Sequence, residues 1–160
     1  MDEKIKAKLQ AALNKRHEAD NERAQAELAE TQRSAQREID RAATDAEWPN
    51  AVLRMKTAID SVNAEIEDSD MAFEVGKFER AGDENKYGGF SIHLKPASKK
   101  DRYIHLNVSD VGDVKPVFLL PHSGKSPHSF QLATASVKFY EAMLTDFFTQ
   151  VIDFESKRPR

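Results

Sequence analysis

Cysteine is absent from the 160-residue sequence. The chain therefore has no disulfide, no thiolate metal ligand and no thiol nucleophile, and any metal would have to bind through histidine and carboxylate groups. The sequence also lacks an apolar run of about 18 residues that could span a bilayer, and Met1–Lys6 lacks the apolar core of a secretion signal. We therefore expect a cytoplasmic protein with no membrane segment.

Positive charge is not in excess either. The formal net charge is −3, although Lys, Arg, Asp and Glu together make up 32% of the residues. Binding along a nucleic-acid backbone requires lysine and arginine clustered on one face, because much of the binding free energy comes from released counterions. The charge balance therefore argues against a protein that nucleic acid wraps over its whole surface, and only a local basic patch stays open as a nucleic-acid contact.

Glycine and proline are missing from residues 1–48, which are mostly Ala, Glu, Gln, Lys, Arg and Leu. These are the strongest intrinsic helix formers, so the composition predicts one long helix. Its apolar stripe is thin and is interrupted around 17–21. The stripe consists of Leu9, Leu13, Ala24, Leu28, Ala35, Ile39, Ala42 and Ala46. Such a helix is marginal on its own, so we expect it to pair with another helix.

A helix restart is predicted where the first proline occurs. The segment Thr44–Pro49 combines a Thr-x-x-Glu capping pattern with a proline, which disfavours helical backbone in the residue before it. Apolar residues then recur at spacings of three and four over 49–67. The sequence thus divides into a long charged helix over 1–48, typical of a coiled-coil arm, and an α+β globular domain over 49–160. It leaves open whether the two helices form a hairpin or one projecting rod.

An antiparallel sheet is predicted within 71–133, because apolar and polar residues alternate there in short runs separated by turn residues. The region 81–89 is predicted to be a loop, since it is rich in Gly, Asp and Asn. The predicted strands cover 71–75, 90–94, 104–108 and 114–120, with a shorter candidate at 130–133.

The last predicted element is a helix over 135–155. Its apolar residues extend beyond one stripe, so the helix must be covered on more than one side, by the sheet and by a second layer or another subunit. The fold class that follows is α+β, with a long N-terminal helix or helical hairpin, then a four- to five-stranded antiparallel sheet packed on a C-terminal helix.

The two clearest strands predict a polar face that carries histidine. A register that keeps their apolar residues on one side places His93 opposite His105, with Lys95 and Tyr103 on the same face. Directly opposed Cβ atoms lie about 4.5–5.5 Å apart, close enough for two imidazoles to share a metal ion or a proton. An ordinary solvent-exposed sheet face is the competing interpretation, and no metal or cofactor is assigned.

Two loops carry further candidate residues. His122 and His128 flank a Gly-Lys-Ser sequence that lacks the earlier glycine of a phosphate-binding P-loop, and both could join the histidine face as ligand-binding residues. The tip of the central hairpin is basic and could contact phosphate groups. Its residues are Lys99, Lys100 and Arg102.

The sequence contains no serine-nucleophile elbow, zinc-protease helix or dinucleotide-binding fingerprint, so nothing in it indicates an enzyme. The leading hypothesis is a non-enzymatic interaction or assembly protein that uses helical contacts. We expect a homo-oligomer, most simply a dimer, or a complex with a helical protein partner. The alternative is a small-molecule- or metal-binding domain, with or without catalysis, that uses the face carrying His93 and His105.

Overall fold

The computed structural model describes residues 2–80, 86–96, 102–120 and 124–156. It confirms the α+β class. The elements in chain order are helix α1 (Glu3–Glu65), a short 3-10 helix (Glu67–Ser69), strands β1 (Ala72–Val75), β2 (Glu79–Arg80), β3 (Lys86–Lys95), β4 (Tyr103–Ser109), β5 (Asp113–Leu119) and β6 (Phe130–Gln131), and helix α2 (Val137–Ser156). Among the described residues, no helix is both long enough and apolar enough to cross a membrane.

Two compact units are present, Met1–Ile39 and Asp40–Arg160. Helix α1 supplies the first unit and the beginning of the second. The restart predicted at Pro49 does not occur, because α1 continues through this residue. An interior proline costs a helix about 3 kcal/mol. Tertiary contacts on both sides offset this cost, since the Trp48 ring packs against Phe90 and Ala51 is fully buried.

The sheet of the second unit is antiparallel, with β1, β3, β4, β5 and β6 in this spatial order and β2 also paired with β3. Each strongly predicted run is a strand, but β3 begins at Lys86, within the region 81–89 that was predicted to be a loop. The added residues of β3 are the ones that pair with the unpredicted strand β2, through Gly88 and Gly89. Gly88 is required there, since a Cβ would lie 2.6 Å from the carbonyl oxygen of Glu79.

One apolar core joins the strands to both helices. The strand side chains at even positions from 90 to 118 face it, and α1 and α2 each contribute one stripe. Ring contacts join α2 to the sheet, because Phe147 lies 5.1 Å from Phe118 and 6.1 Å from Phe73 between ring centroids. The core residues of the helices are Ala51, Met55, Ala58, Ile59 and Val62 in α1, and Tyr140, Met143, Leu144, Phe147 and Val151 in α2.

Polar contacts fix α1 against the turn after β4. Thr44 is buried, and its hydroxyl donates to the carbonyl oxygens of Asp40, at 3.0 Å, and Asp110, at 2.7 Å. The guanidinium of Arg41 lies 4.0 Å from the buried carboxylate of Asp110. This part of α1 therefore belongs structurally to the Asp40–Arg160 unit.

Side chains bond to outward-facing backbone groups of the edge strand β1 and of the part of β5 that lies beyond its pairing with β6. At β1, the amide of Asn63 donates to the carbonyl of Phe73 at 3.0 Å and accepts from its N–H at 2.7 Å, as a neighbouring strand would. At β5, Pro116 has no N–H, and the hydroxyl of Ser126 accepts from the N–H of Phe118 at 2.9 Å. Edges closed in this way offer few free backbone groups to another strand.

Candidate functional site

The polar face of the sheet forms as predicted, but with a different register. Ile92 lies opposite Ile104, which places His93 opposite Tyr103 and Ser91 opposite His105. The predicted pairing of His93 with His105 is therefore wrong by two residues. The apolar alternation is equally satisfied by either even register, so the sequence pattern did not choose between them.

Both histidines already have neighbours within the sheet. The His93 ring centroid lies 5.0 Å from that of Tyr103, and the His93 ring lies against Gly76, where a Cβ would approach Cδ2 to 3.2 Å. Nδ1 of His105 is 3.1 Å from the hydroxyl of Ser91. This face is polar and half-buried, and it offers hydrogen-bonding groups to a ligand. Its two imidazoles, however, make separate contacts, His93 with Tyr103 and His105 with Ser91.

The remaining predicted site residues are dispersed. Lys95 lies at the end of β3, half-buried and opposite Ala72, and His128 is exposed in the segment before β6. Arg102 is buried, and its guanidinium pairs with the carboxylate of Glu155 and donates to the carbonyl oxygen of Pro96 at 3.1 Å. The predictions for His122, Lys99 and Lys100 fall outside the described residues. Within those residues, no group of three or more His, Asp or Glu side chains could hold a metal ion.

An aromatic cluster that the sequence analysis did not single out lies between α1 and β3. The ring of Trp48 contacts those of Phe78, Tyr87 and Phe90, at centroid distances of 4.4, 5.8 and 5.4 Å. The only signal in the sequence was the single tryptophan directly before the first proline. Because the four rings come from three separate segments, their meeting depends on tertiary structure.

Beside this cluster is an apolar cavity of about 210 Å³. The segment between β1 and β2 contributes Gly76 and Phe78 to its wall. A single charged side chain, Lys56, belongs to the lining. The lining residues are Trp48, Val52, Met55, Lys56, Val75, Gly76, Phe78 and Phe90.

A polar cluster adjoins the same aromatic rings. The guanidinium of Arg80 lies 2.5 Å from the carboxylate of Asp45 and 5.4 Å from the centroid of the Tyr87 ring. The hydrogen bond with Tyr87 and the charge of Arg80 lower the pKa of Asp45. Burial raises the pKa of Tyr87, as does its hydrogen bond with Asp45. These groups keep their ordinary charge states at neutral pH and hold β2 to α1.

A second cavity, of about 120 Å³, lies between α1 and the β6 region. Glu47 lines it and pairs with Arg54 at 2.9 Å, while Arg54 also donates to the carbonyl oxygens of Leu132 and Ala135. The nearby hydroxyl of Tyr140 is buried without a hydrogen-bond partner among the described residues, and burial raises the pKa of Tyr140 to about 12. Such a hydroxyl stays protonated throughout the physiological range.

The unit Met1–Ile39 is entirely different in character, because residues 2–36 are all exposed. Its larger apolar side chains keep at least half of their surface open to solvent. They are Ile5 (51% exposed), Leu9 (52%), Leu13 (51%), Leu28 (58%) and Ile39 (62%). We call residues 2–39 the arm.

Comparison with known proteins gives no family assignment: no family model matches this chain, and neither the curated proteins nor the solved structures produce a match.

Proposed function

We propose that this protein is a non-enzymatic assembly protein that forms a homodimer through the arm. The observation that carries the proposal is the arm itself, a helical segment of more than 30 residues that buries no side chain on its own chain before Arg37. A helix in water gains most of its stability from packing of an apolar face, and here that face is exposed over the described residues 2–36. A second copy supplies an identical apolar face at equal concentration, and twofold dimers are the commonest assembly.

Removing the apolar side chains of the arm is expected to convert the dimer into a monomer. The test variant carries Leu9→Gln, Leu13→Gln and Leu28→Gln, because glutamine keeps a high helix propensity but lacks the apolar surface. Light scattering on the full chain over a concentration series should give twice the monomer mass for the parent and the monomer mass for the variant.

The matched control places the same three glutamines off the apolar stripe, at Ala12, Ala19 and Ala26. This control is expected to remain a dimer. A parent chain that is monomeric at all concentrations, with an arm that is still helical by circular dichroism, would contradict the proposal.

Ligand binding at the face of His93 and His105 stays a prediction, but the cavity beside Trp48 is the better candidate for a small-molecule site. Its volume corresponds to about seven water molecules at about 30 Å³ each. This lies below the roughly 300–1,000 Å³ of sites for drug-sized ligands, so only a small molecule fits. An apolar lining with one cationic side chain, Lys56, suits an aliphatic carboxylate.

Octanoate is therefore expected to change the fluorescence of Trp48, the only tryptophan in the chain. Val52→Phe, which fills the cavity, should abolish the change. Lys56→Gln should weaken octanoate binding about tenfold, as expected for the loss of one charge-assisted contact of about 1.4 kcal/mol, and should leave 1-octanol unaffected. Lys138→Gln, on the exposed surface of α2, is the matched control. Fluorescence unchanged by octanoate in the parent protein would reject this second candidate.

A further inference from the structure

The arm has an uneven charge distribution along its length. Residues 4–16 contain five cationic side chains and no anionic one, whereas residues 18–30 contain five anionic side chains and one cationic one. All of these side chains are exposed. Two copies in parallel register would bring like-charged segments together, whereas two antiparallel copies would bring each basic segment against an acidic one.

Four apolar residues of the arm face one another in an antiparallel arrangement. When the two residue numbers in each facing pair add up to 33, Ile5 faces Leu28 and Leu9 faces Ala24 of the second copy. At about 100° per residue, these four positions fall on one broad side of the helix. All four side chains are exposed on the single chain and are free to pack in this way.

The same register also brings opposite charges together, because Lys6 faces Glu27 on this side of the helix. The symmetry axis then passes between Arg16 and His17, which is where the apolar stripe is interrupted. Polar groups at the centre of a helical interface favour one register over the others. Here Arg16 of each copy comes within one helical turn of Asp20 of the other.

We propose that the arm forms an antiparallel homodimer whose twofold axis lies between Arg16 and His17. This inference rests on the proposed function and specifies its geometry. The partner surface is the same arm on a second copy, recognised by the alternation of a basic and an acidic segment. The interface contains two symmetric sets of the contacts given above, so it closes after two chains and does not propagate.

Single cysteines test this geometry directly, because the parent chain contains none. A disulfide requires Cα atoms within about 7 Å. Under mild oxidation of the full-length protein, His17→Cys should form a disulfide with itself across the axis. Ala24→Cys should not, because the two copies of position 24 would be about 22 Å apart along the helices. Mixing Ala24→Cys with Leu9→Cys, however, should give the mixed disulfide dimer.

Ala26→Cys is the matched control, since this alanine lies about 200° around the helix from Ala24 and should not form a disulfide with Leu9→Cys. Self-linked dimers of both Ala24→Cys and Leu9→Cys would show a parallel dimer and overturn the antiparallel inference, while the proposed assembly function would stand. No disulfide in any variant, together with a monomeric mass by light scattering, would reject both. A dimeric mass with no disulfide at His17→Cys would reject the proposed axis alone.

Discussion

Replacing Phe147 by alanine is expected to lower the free energy of unfolding by about 3–5 kcal/mol. The ring is completely buried and packs against Phe118 from β5 and Phe73 from β1. It therefore joins α2 to two strands that lie on opposite flanks of the β3–β4 pair. Its removal leaves a cavity that strands held in register cannot collapse to fill. Since small domains have a total stability of about 5–15 kcal/mol, the loss would be a large fraction of the whole.

Urea denaturation followed by the fluorescence of Trp48 measures this effect, because Trp48 packs against the same core. The matched control is Phe139→Ala, in the first turn of α2. Phe139 is 37% exposed and contacts Phe130 at a centroid distance of 4.6 Å, so its loss should cost only about 1 kcal/mol. Equal losses for the two variants would contradict the role assigned to Phe147.

The fold class was predictable because the residues that pack in this core, such as Phe147, recur at the spacing of their helix or strand. Strand alternation and the three-four spacing of α2 each express burial of one side of an element, and the structure confirms both. The surplus apolar residues of α2 were expected to need a second covering layer. Phe139 shows that part of this cover is local, since Phe130 of the neighbouring strand β6 packs on it.

The sequence could not decide features that depend on competition between elements. The propensity of Pro49 to end a helix is a local effect, and contacts of Trp48 with distant aromatic residues outweigh it. Similarly, alternation restricts the β3–β4 register to even shifts but does not choose among them. The candidate site was therefore predicted with the correct face and the wrong partner for His93.

Arg102 illustrates the same limit for a charged residue. Its place among the basic residues of a hairpin tip predicted a cation accessible to phosphate groups, yet its side chain is only 4% exposed. The carboxylate that pairs with it, on Glu155, comes from the end of α2, 53 residues further along the chain, and no local pattern relates the two. The ion pair joins a buried guanidinium to a partly exposed carboxylate, so removal of one partner should not have the same effect on stability as removal of the other.

Replacing Glu155 by alanine is expected to destabilise the protein more than replacing Arg102 by methionine. Without Glu155, the buried guanidinium retains the carbonyl oxygen of Pro96, while Nε has no partner among the described residues. An uncompensated buried charge of this kind costs about 3 kcal/mol. Without Arg102, the carboxylate of Glu155 turns to water, because its side chain is already 42% exposed. Methionine meanwhile fills the space of the arginine stem, so this variant should lose only about 1 kcal/mol.

The order of the two losses in urea denaturation is the test, because a surface ion pair would give small and similar values for both variants. Glu155→Gln separates charge from hydrogen bonding: its amide oxygen can still accept from the guanidinium, so its loss should lie between the other two. If Arg102→Met proves the more damaging change, the energy resides in packing of the arginine stem and its bond to Pro96. If Glu155→Ala is the more damaging change, the stabilisation comes from the charge of Glu155. Its carboxylate then compensates the guanidinium of Arg102, which packing of α2 against the β3–β4 hairpin has removed from water.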